Sequence, residues 1–241
     1  MNLILLHPDD FDEGGTVVLS GRRARHICEV LRAKVGDELT IGRVNGAVGK
    51  GTVLVVEPNE VRLSAALTQD PPPRSGLDLL LAMPRPKVFR RVLQSAAALG
   101  ARRIVLVGAQ RVEKSYFDSP FLGPEEIERN LVLGLEQARD TVLPEVLVRR
   151  RFRPFVEDEL ESVWPAATCA RLLAHPGATG SGAPPAKPPA VVAIGPEGGW
   201  VPSEVGLLEA HGFRPFSLGP RILRVETAVP YVFGLLELSL G

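Results

Sequence analysis

A proline-rich segment at residues 71–76, PPPRSG, constrains the fold of this chain more than any other feature. Consecutive prolines stiffen the backbone in an extended form and remove the amide protons that a helix or a central strand needs. The hydrophobic pattern changes across this segment, from short apolar runs before it to strands that alternate with helices after it. The sequence therefore predicts two domains, residues 1–70 and residues 77–241.

The N-terminal domain is predicted to be a small β-barrel, because its short apolar runs are separated by turns containing Gly, Asp and Asn. The runs are Leu3 to Leu6, Thr16 to Leu19, Glu38 to Ile41, Val53 to Val56 and Val61 to Ala66. One predicted helix, residues 22–33, interrupts them, with apolar residues on one side and mostly charged residues on the other.

The C-terminal domain is predicted to contain a parallel α/β sheet, because strands and helices alternate along it. The predicted strands cover residues 77–82, 104–107, 146–148, 170–173, 191–194 and 215–218, and the predicted helices cover residues 88–99, 124–141, 154–164 and 203–211. A final helix is predicted to have Thr227 as its N-cap, which would place Pro230 in the first turn. The low-complexity segment 177–189 is predicted to be a surface loop.

Composition excludes several classes of function. Lys plus Arg and Asp plus Glu both number 28, so no net field attracts nucleic acid or membrane, and any binding of a polyanion depends on local clusters. The N-terminus lacks the basic start of a secretory signal, and no apolar run approaches the roughly 20 residues of a membrane span. The two cysteines are far apart in the sequence, and the dispersed histidines lack metal-ligand spacing. These features predict a cytoplasmic protein with no metal and no membrane contact.

Several common catalytic motifs are missing. The sequence has no P-loop, no G-x-G-x-x-G after the first strand of the α/β domain, and no G-x-S-x-G turn. What remains is a pair of glycine- and proline-rich turns, IGPEGGW at 194–200 and LGPRILRVETA at 218–228, each of which follows a predicted strand. Glycine lets the backbone approach a ligand closely, so the pair predicts a binding site. The alternative is that these glycines only make tight turns.

The two turns, in this order at the C-terminus, resemble the signature of the RsmE family, ribosomal RNA methyltransferases of the SPOUT (α/β knot) class. Other matching segments are AHP at 174–176, EQAR at 136–139 with LPE at 143–145, RHI at 25–27, VLR at 30–32 and VGDEL at 35–39. The resemblance thus covers essentially the whole chain. Ser95 and Ala98 depart from it, since family members commonly carry lysine and glutamate in this segment, and AQR at 109–111 replaces S-E-R.

The resemblance implies a PUA-like β-barrel followed by a SPOUT domain with a C-terminal trefoil knot, and a homodimer formed through the SPOUT domain. The hydrophobic pattern does not show a knot, and by itself it predicts an ordinary open sheet. The implied activity is transfer of a methyl group from S-adenosylmethionine to N3 of a uridine in 16S ribosomal RNA, in the decoding region. The implied partner is small-subunit ribosomal RNA within the assembled subunit.

The resemblance also suggests which residues form the site. Those expected to hold the cofactor are Ile194, Gly195, Glu197, Gly199, Leu218, Gly219, Ile222, Leu223 and Thr227. Uracil N3 must lose a proton to attack the methyl group, which requires a base or a cation that stabilises the uracil anion. Arg224 is the candidate stabiliser, Glu226 is the candidate base or orienting group, and Arg139 is expected near them. For Glu197 and Glu226, the alternative is helix capping.

Two basic clusters are candidates for contact with RNA phosphates. They contain Arg22, Arg23, Arg25 and Arg32 in the predicted barrel and Arg85, Lys87, Arg90 and Arg91 in the α/β domain. Taken singly, such a cluster is more often a solvated face. Two other functions stay open at this point: a catalytically inactive RNA-binding or ribosome-assembly factor, and a related knot methyltransferase that acts on transfer RNA.

Overall fold

The computed structural model of the chain describes residues 2–178 and 187–240, so most of the predicted surface loop at 177–189 lies outside the described residues. Contacts divide the chain into two compact units. The first unit contains residues 1–73 and 132–143, and the second contains residues 74–131 and 144–241. The two predicted domains were continuous in sequence, whereas residues 132–143 group with the N-terminal part.

The reason for this grouping is a set of long-range contacts made by residues 132–143. The backbone carbonyl of Glu136 accepts hydrogen bonds from the N–H groups of Asn2 and Leu3. Its buried carboxylate accepts one from Arg22 over 2.9 Å. Thr141 Oγ1 donates to the carbonyl of Gly46. Backbone partners more than 90 residues away cannot be identified from local pattern, so the grouping of residues 132–143 with the N-terminal part could not be predicted.

The first unit is built on a five-stranded barrel-like sheet in the order β1-β3-β4-β5-β2. Its strands are β1 (Ile4–Leu6), β2 (Val17–Ser20), β3 (Glu38–Arg43), β4 (Val48–Val56) and β5 (Glu60–Gln69). Only β1 and β3 pair in parallel. Strand β4 starts five residues before the predicted strand, because Gly49 and Gly51 pair within the sheet instead of making a turn. A Cβ on Gly49 would lie 1.9 Å from the carbonyl oxygen of Ala66.

The helix predicted at 22–33 is present, but it changes from an α-helix to a π-helix along its length. Helix α1 (Gly21–Arg25) continues as a π-helix at His26–Leu31 and ends at Arg32, whose φ is 53°. Ala24 and Ile27 are fully buried against the sheet, as the apolar side of the prediction required. Val30, however, is 66% exposed, because the wider turn of the π-helix rotates this part of the apolar side out of the core.

The second unit contains a six-stranded, fully parallel sheet in the order β11-β9-β10-β6-β7-β8, which confirms the predicted α/β arrangement. Its strands are β6 (Leu77–Ala82), β7 (Arg103–Val107), β8 (Glu145–Arg149), β9 (Ala170–Ala174), β10 (Ala190–Ile194) and β11 (Arg214–Phe216). The central strands β6 and β10 are buried along their whole length, as expected for a parallel sheet covered on both faces.

The remaining helices of the chain are α2 (Pro86–Ala98), α3 (Pro124–Ala138), α4 (Phe152–Pro154), α5 (Leu160–Val163), α6 (Pro202–Ala210) and α7 (Val225–Leu240). A π-helix at Phe155–Glu159 joins α4 to α5, so the single helix predicted at 154–164 has three parts. No helix in residues 2–178 and 187–240 is long and apolar enough to cross a membrane.

The start of α7 corrects the predicted N-cap. The helix begins at Val225, two residues before Thr227, and the carbonyl of Arg224 accepts hydrogen bonds from the N–H groups of Thr227 and Ala228. Val225 is 4% exposed, so its burial favours the earlier start. Pro230 consequently lies inside the helix rather than in its first turn.

Candidate active site

Three neighbouring strand ends define the position of the candidate site. Strands β9, β10 and β11 are parallel, so the segments after Ala174, Ile194 and Phe216 leave the sheet at the same edge. After β10 the chain passes β9 and returns to the sheet as β11, at one end of the strand order. After β6 it moves in the opposite direction along the sheet, to β7. Ligands of open α/β sheets bind outside the carboxyl ends of strands where the direction of winding reverses.

A pocket of about 240 Å³, called here the C-terminal pocket, lies at this edge. Both glycine-rich turns line it, together with the segment after β9. Of the predicted cofactor residues, all of which belong to the described part of the chain, only Thr227 does not line the pocket. The residues that do are Ile194, Gly195, Glu197, Gly199, Leu218, Gly219, Ile222 and Leu223.

The first turn, residues 195–200, is folded onto itself around Trp200. A Cβ on Gly195 would lie 3.1 Å from both the backbone nitrogen and Cδ1 of Trp200, closer than most Cβ contacts. The N–H of Gly199 donates to the carbonyl of Pro196 over 2.7 Å, and Gly199 has a φ of 72°. Glycine at 195 is therefore required for packing within the protein, whereas glycine at 199 is required by the backbone conformation.

Two long-range hydrogen bonds attach the first turn to the rest of the second unit. Glu197 Oε1 accepts from the backbone N–H of Arg85, the residue that precedes α2, over 3.1 Å. The guanidinium of Arg111 donates to the carbonyl of Gly198. Glu197 thus contacts the N-terminus of a helix, which is the capping role named above as the alternative to cofactor binding. Arg111 lies in the AQR segment that departs from the family pattern.

The second turn, residues 217–224, has few contacts. Within it the N–H of Gly219 donates to Ser217 Oγ over 3.2 Å, and Gly219 has a φ of 105°. A Cβ on Gly219 would meet no atom within 4 Å. Ile222 is 87% exposed although it lines the pocket. An exposed apolar side chain beside a pocket is available to cover a ligand.

The three proposed catalytic residues belong to two different units of the chain. Arg224 is exposed and directly precedes α7, and Glu226 lies in the first turn of that helix. Neither lines the C-terminal pocket, although their neighbours Leu223 and Val225 do. The carboxylate of Glu226 is 4.0 Å from the guanidinium of Arg91. Arg139 belongs to the first unit and lines a different cavity there.

The residues of the C-terminal pocket match the chemical groups of S-adenosylmethionine. Adenosine needs apolar walls and nearby backbone groups, which Ile194, Leu218 and Ile222 and the two glycine-rich turns provide. At Gly199 and Gly219 a Cβ would meet open space, so both leave the backbone accessible. Trp200 Nε1 is buried and has no hydrogen-bond partner among the described residues. An unpaired buried donor in a pocket wall favours a ligand with a matching acceptor.

The basic cluster of the first unit separates into paired and unpaired arginines. Arg23 makes two hydrogen bonds to the carboxylate of Asp10, of 2.5 and 2.6 Å, and a third to the carbonyl of Leu5. Arg22 is paired with Glu136, whose burial raises the pKa of its carboxyl group. Both arginines therefore have structural roles. A charge reversal at Arg23 would disturb the fold of the unit, so it is unsuitable as a test of RNA binding.

Arg25 and Arg32 are exposed and form no ion pair with any residue that the structure describes, so they stay candidates for phosphate contact. In the second unit, Arg85 and Lys87 are exposed as well. Arg90 lies over the ring of Phe121, with 5.0 Å between Cζ and the ring centroid, and Arg91 lies near Glu226.

Sequence reasoning missed part of the pocket wall, notably Trp200, His175 and Arg221. Trp200 ends the IGPEGGW motif, and His175 directly follows β9, so the strand ends were the signal that could have identified both. The departures Ser95 and Ala98 lie half-buried in α2 and do not belong to the described pocket wall. No group of three or more potential metal ligands occurs among the described residues.

Comparisons with known proteins place this fold and pocket in a family. A protein-family model described as an RNA methyltransferase domain matches residues 71–237 of the chain. The Ribosomal RNA small subunit methyltransferase E of Treponema pallidum is 33% identical over 233 residues, which cover 95% of this chain and 87% of that protein. The Ribosomal RNA small subunit methyltransferase E 1 of Borreliella burgdorferi is 24% identical over 95% of this chain and 94% of its own length.

Solved structures agree with this assignment. A Legionella pneumophila protein, determined in complex with the bound cofactor SAM, is 25% identical, has a TM-score of 0.78, and the match covers 100% of this chain and 98% of that one. The Ribosomal RNA small subunit methyltransferase E of Neisseria gonorrhoeae, bound to S-adenosyl methionine, has a TM-score of 0.77 at 21% identity over the same shares of both chains. The chain belongs to the RsmE family of RNA methyltransferases, and its predicted fold of a PUA-like barrel with a SPOUT domain is confirmed.

Proposed function

We propose that this chain transfers the methyl group of S-adenosylmethionine to N3 of a uridine in 16S ribosomal RNA, in the decoding region of the small subunit. The observation that carries the proposal is the convergence of both glycine-rich motifs on one pocket at the carboxyl ends of β9, β10 and β11. The T. pallidum relative named for small-subunit ribosomal RNA methylation supports the choice of substrate.

The cofactor supplies an electrophilic methyl group, and the protein has to present the uracil to it. The first turn forms a fixed wall of the pocket, because Glu197 and Arg111 attach it to other elements. Ile222, an exposed apolar residue that lines the pocket from the second turn, would supply apolar cover for a bound adenosine. Apolar cover of this kind excludes water and strengthens the electrostatic contacts that act on the reacting groups.

Arg224 and Glu226 remain the proposed groups that act on the uracil. Arg224 presents an exposed guanidinium beside the pocket residue Leu223, where it stabilises the negative charge that develops on the uracil ring. Glu226 follows the pocket residue Val225 and lies 4.0 Å from Arg91, which restrains its carboxylate. This placement favours an orienting role for Glu226, and Arg224 is then the main electrostatic contributor.

The remaining expectations from the resemblance belong to the same proposal. The enzyme acts on the assembled small subunit, forms a homodimer through its SPOUT domain, and has a trefoil knot at the C-terminal pocket. The exposed side chains of Arg25 and Arg32 contact RNA phosphates, joined by Arg85 and Lys87. Light scattering of the purified chain tests the dimer, since a monomer at micromolar concentration would contradict it.

The main alternative is a catalytically inactive RNA-binding factor with the same fold. The departures at Ser95 and Ala98 are the sequence features that favour this alternative, but both residues lie in α2 and outside the described pocket wall. A methyltransferase acting on transfer RNA is the other alternative. The names of the relatives favour an active methyltransferase of ribosomal RNA over both alternatives.

Nucleoside mapping tests the proposal directly. Small ribosomal subunits from a strain that lacks the gene are incubated with the protein and S-adenosylmethionine, and their RNA is digested and analysed by mass spectrometry before and after the incubation. We expect one N3-methyluridine to appear in the decoding region. Methylation of transfer RNA instead, or no methylation at all with cofactor bound, would contradict the proposal and support one of the two alternatives.

The same assay separates the roles of the two charged residues. Replacing Arg224 by Gln should slow methyl transfer by about 100-fold, because one preorganised electrostatic contact is lost. The cofactor affinity measured by calorimetry should stay the same, since Arg224 does not line the pocket. Glu226→Gln keeps the shape of the side chain, and a comparable loss of rate would identify Glu226 as the base rather than an orienting group.

A further inference from the structure

Arg139 has a backbone conformation that suits glycine better than arginine. It follows the last residue of α3 with a φ of 59°. The N–H of Asp140 donates to the carbonyl of Leu135, which closes the hydrogen-bonded loop of a Schellman motif around Arg139. Glycine is the usual residue at this position because a Cβ is disfavoured there. An arginine at such a position suggests that its side chain has a function.

The side chain of Arg139 lines a cavity of about 390 Å³ in the first unit, called here the first-unit cavity. Its other walls come from β3, β4 and β5 of the barrel-like sheet, with Thr40, Lys50 and Gln69 among the contributing residues. At Gly49, which also lines the cavity, a Cβ would overlap the carbonyl of Ala66. Glycine at 49 is therefore required by the close approach of β4 and β5, and two long cationic side chains, those of Lys50 and Arg139, belong to the same cavity wall.

The chemistry of this cavity matches a phosphate group attached to a sugar. Lys50 and Arg139 supply two positive charges against one carboxylate, that of Asp70. The guanidinium of Arg139 has no ion pair with another described residue, and the only hydrogen bond of Lys50 in the described part is a long one of 3.5 Å to Thr40. Both cations are available, and arginine binds a phosphate through two parallel hydrogen bonds.

We propose that the first-unit cavity binds a phosphate group and the adjoining ribose of the substrate RNA, with Arg139 and Lys50 as the cationic contacts. Thr40, Gln69 and Asp70 provide hydrogen-bonding groups for the ribose hydroxyl that distinguishes RNA from DNA. No aromatic side chain lines the described wall of this cavity, so it recognises the RNA backbone rather than a base. Arg139 thereby becomes an RNA-positioning residue and not a group at the reacting atoms.

This inference rests on the proposed function, because it needs an RNA substrate, and Arg139→Gly tests it in the full-length protein. Glycine removes the side chain and relieves the backbone, so Tm should stay the same or rise by about 1–3 °C. Affinity for small ribosomal subunits from a strain that lacks the gene should fall roughly tenfold, because one charge-assisted contact is lost. The slope of log affinity against log salt should decrease by about 0.7–0.9. Affinity for S-adenosylmethionine should not change.

Matched variants make the result specific. Lys50→Gln should reproduce the loss of RNA affinity, and Arg139→Lys, which keeps the charge but not the two parallel donors, should recover only part of the lost affinity. Arg62→Gln serves as the control, because it removes an exposed positive charge from β5 outside the cavity. Equal RNA affinity for Arg139→Gly and the unmodified protein would overturn the inference. Failure of the unmodified protein to bind or methylate ribosomal RNA would instead refute the proposed function.

A free nucleotide is the other source of a phosphate attached to a ribose, and uridine monophosphate serves as its probe. We expect no saturable binding below about 1 mM, since a single phosphate contact gives little affinity. Micromolar binding of uridine monophosphate that Arg139→Gly abolishes, with RNA affinity unchanged, would overturn the assignment to RNA. It would identify the cavity as a nucleotide site.

Discussion

The two glycine-rich turns of the C-terminal pocket follow adjacent parallel strands, but the structure holds them in different ways. The first turn packs around Trp200 and is attached to α2 through Glu197. The second turn has an internal hydrogen bond at Ser217 and a nearly fully exposed Ile222. Similar motifs are therefore held differently: packing and long-range hydrogen bonds fix the first turn, whereas the second turn exposes an apolar side chain beside the pocket.

The largest effect is expected from Gly195→Val, which tests the packing of the first turn. The added side chain would overlap the backbone and ring of Trp200, so the free energy of unfolding should fall by about 1–3 kcal/mol. Calorimetry of the protein without ligand measures this. Gly206→Ala in α6 is the control, because its Cβ would meet no atom and alanine favours the helix. An unchanged stability for Gly195→Val would contradict the difference between the turns.

Gly219→Ala should have a smaller effect that is limited to the second turn. The φ of 105° is unfavourable for alanine, which costs about 1–2 kcal/mol in a rigid turn and less where the chain can adjust. Hydrogen exchange should increase in residues 217–224 while β10 and the first turn keep their protection. Loss of protection throughout the second unit would show that the second turn is as firmly packed as the first.

Glu197→Ala tests the attachment of the first turn to α2. The N–H of Arg85 would lose its acceptor at an exposed helix end, so unfolding should become easier by about 0.5–1 kcal/mol. Chemical denaturation provides the measurement, with Glu209→Ala, an exposed residue of α6, as the control. If affinity for S-adenosylmethionine fell by more than tenfold with no change in stability, Glu197 would be a ligand contact instead.

The smallest effect on stability is expected from Ile222→Ala. The side chain is 87% exposed, so its removal should change the free energy of unfolding by less than about 0.5 kcal/mol. Affinity for S-adenosylmethionine, in contrast, should weaken about threefold to tenfold, because the apolar cover proposed for the adenosine would be lost. Isothermal calorimetry distinguishes the two quantities, and an unchanged affinity would remove Ile222 from the site.

The sequence predicted most of the elements that build the site. The strand before each motif could be identified from a short apolar run that ends at glycine or proline, as at Ile194 and Gly195, and such local signals survive folding. The predictions for the helix before Arg32 and for the start of α7 were less accurate. The limits of these helices depend on whether an apolar residue is buried, and Val225 is buried whereas Val30 is exposed, which only the folded chain decides.

The division of roles among the charged residues could not be predicted from the sequence. Arg23 and Arg25 are indistinguishable in the pattern, yet Arg23 is held by Asp10 and Leu5, whereas Arg25 faces solvent. Arg139 was grouped with Arg224 by resemblance, but residues 132–143 belong to the first unit. Which partner a long side chain meets depends on contacts between distant parts of the chain.

The sequence by itself determined the fold class, the family and the two motifs at the C-terminal pocket, because periodicity and turn residues act over a few positions. Only the tertiary structure decided what each glycine and each arginine does. Gly195 is needed because Trp200 packs against it, and Arg139 tolerates its backbone conformation within a loop closed by Asp140 and Leu135. Such constraints arise from close packing and hydrogen bonding, which exist only after the chain has folded.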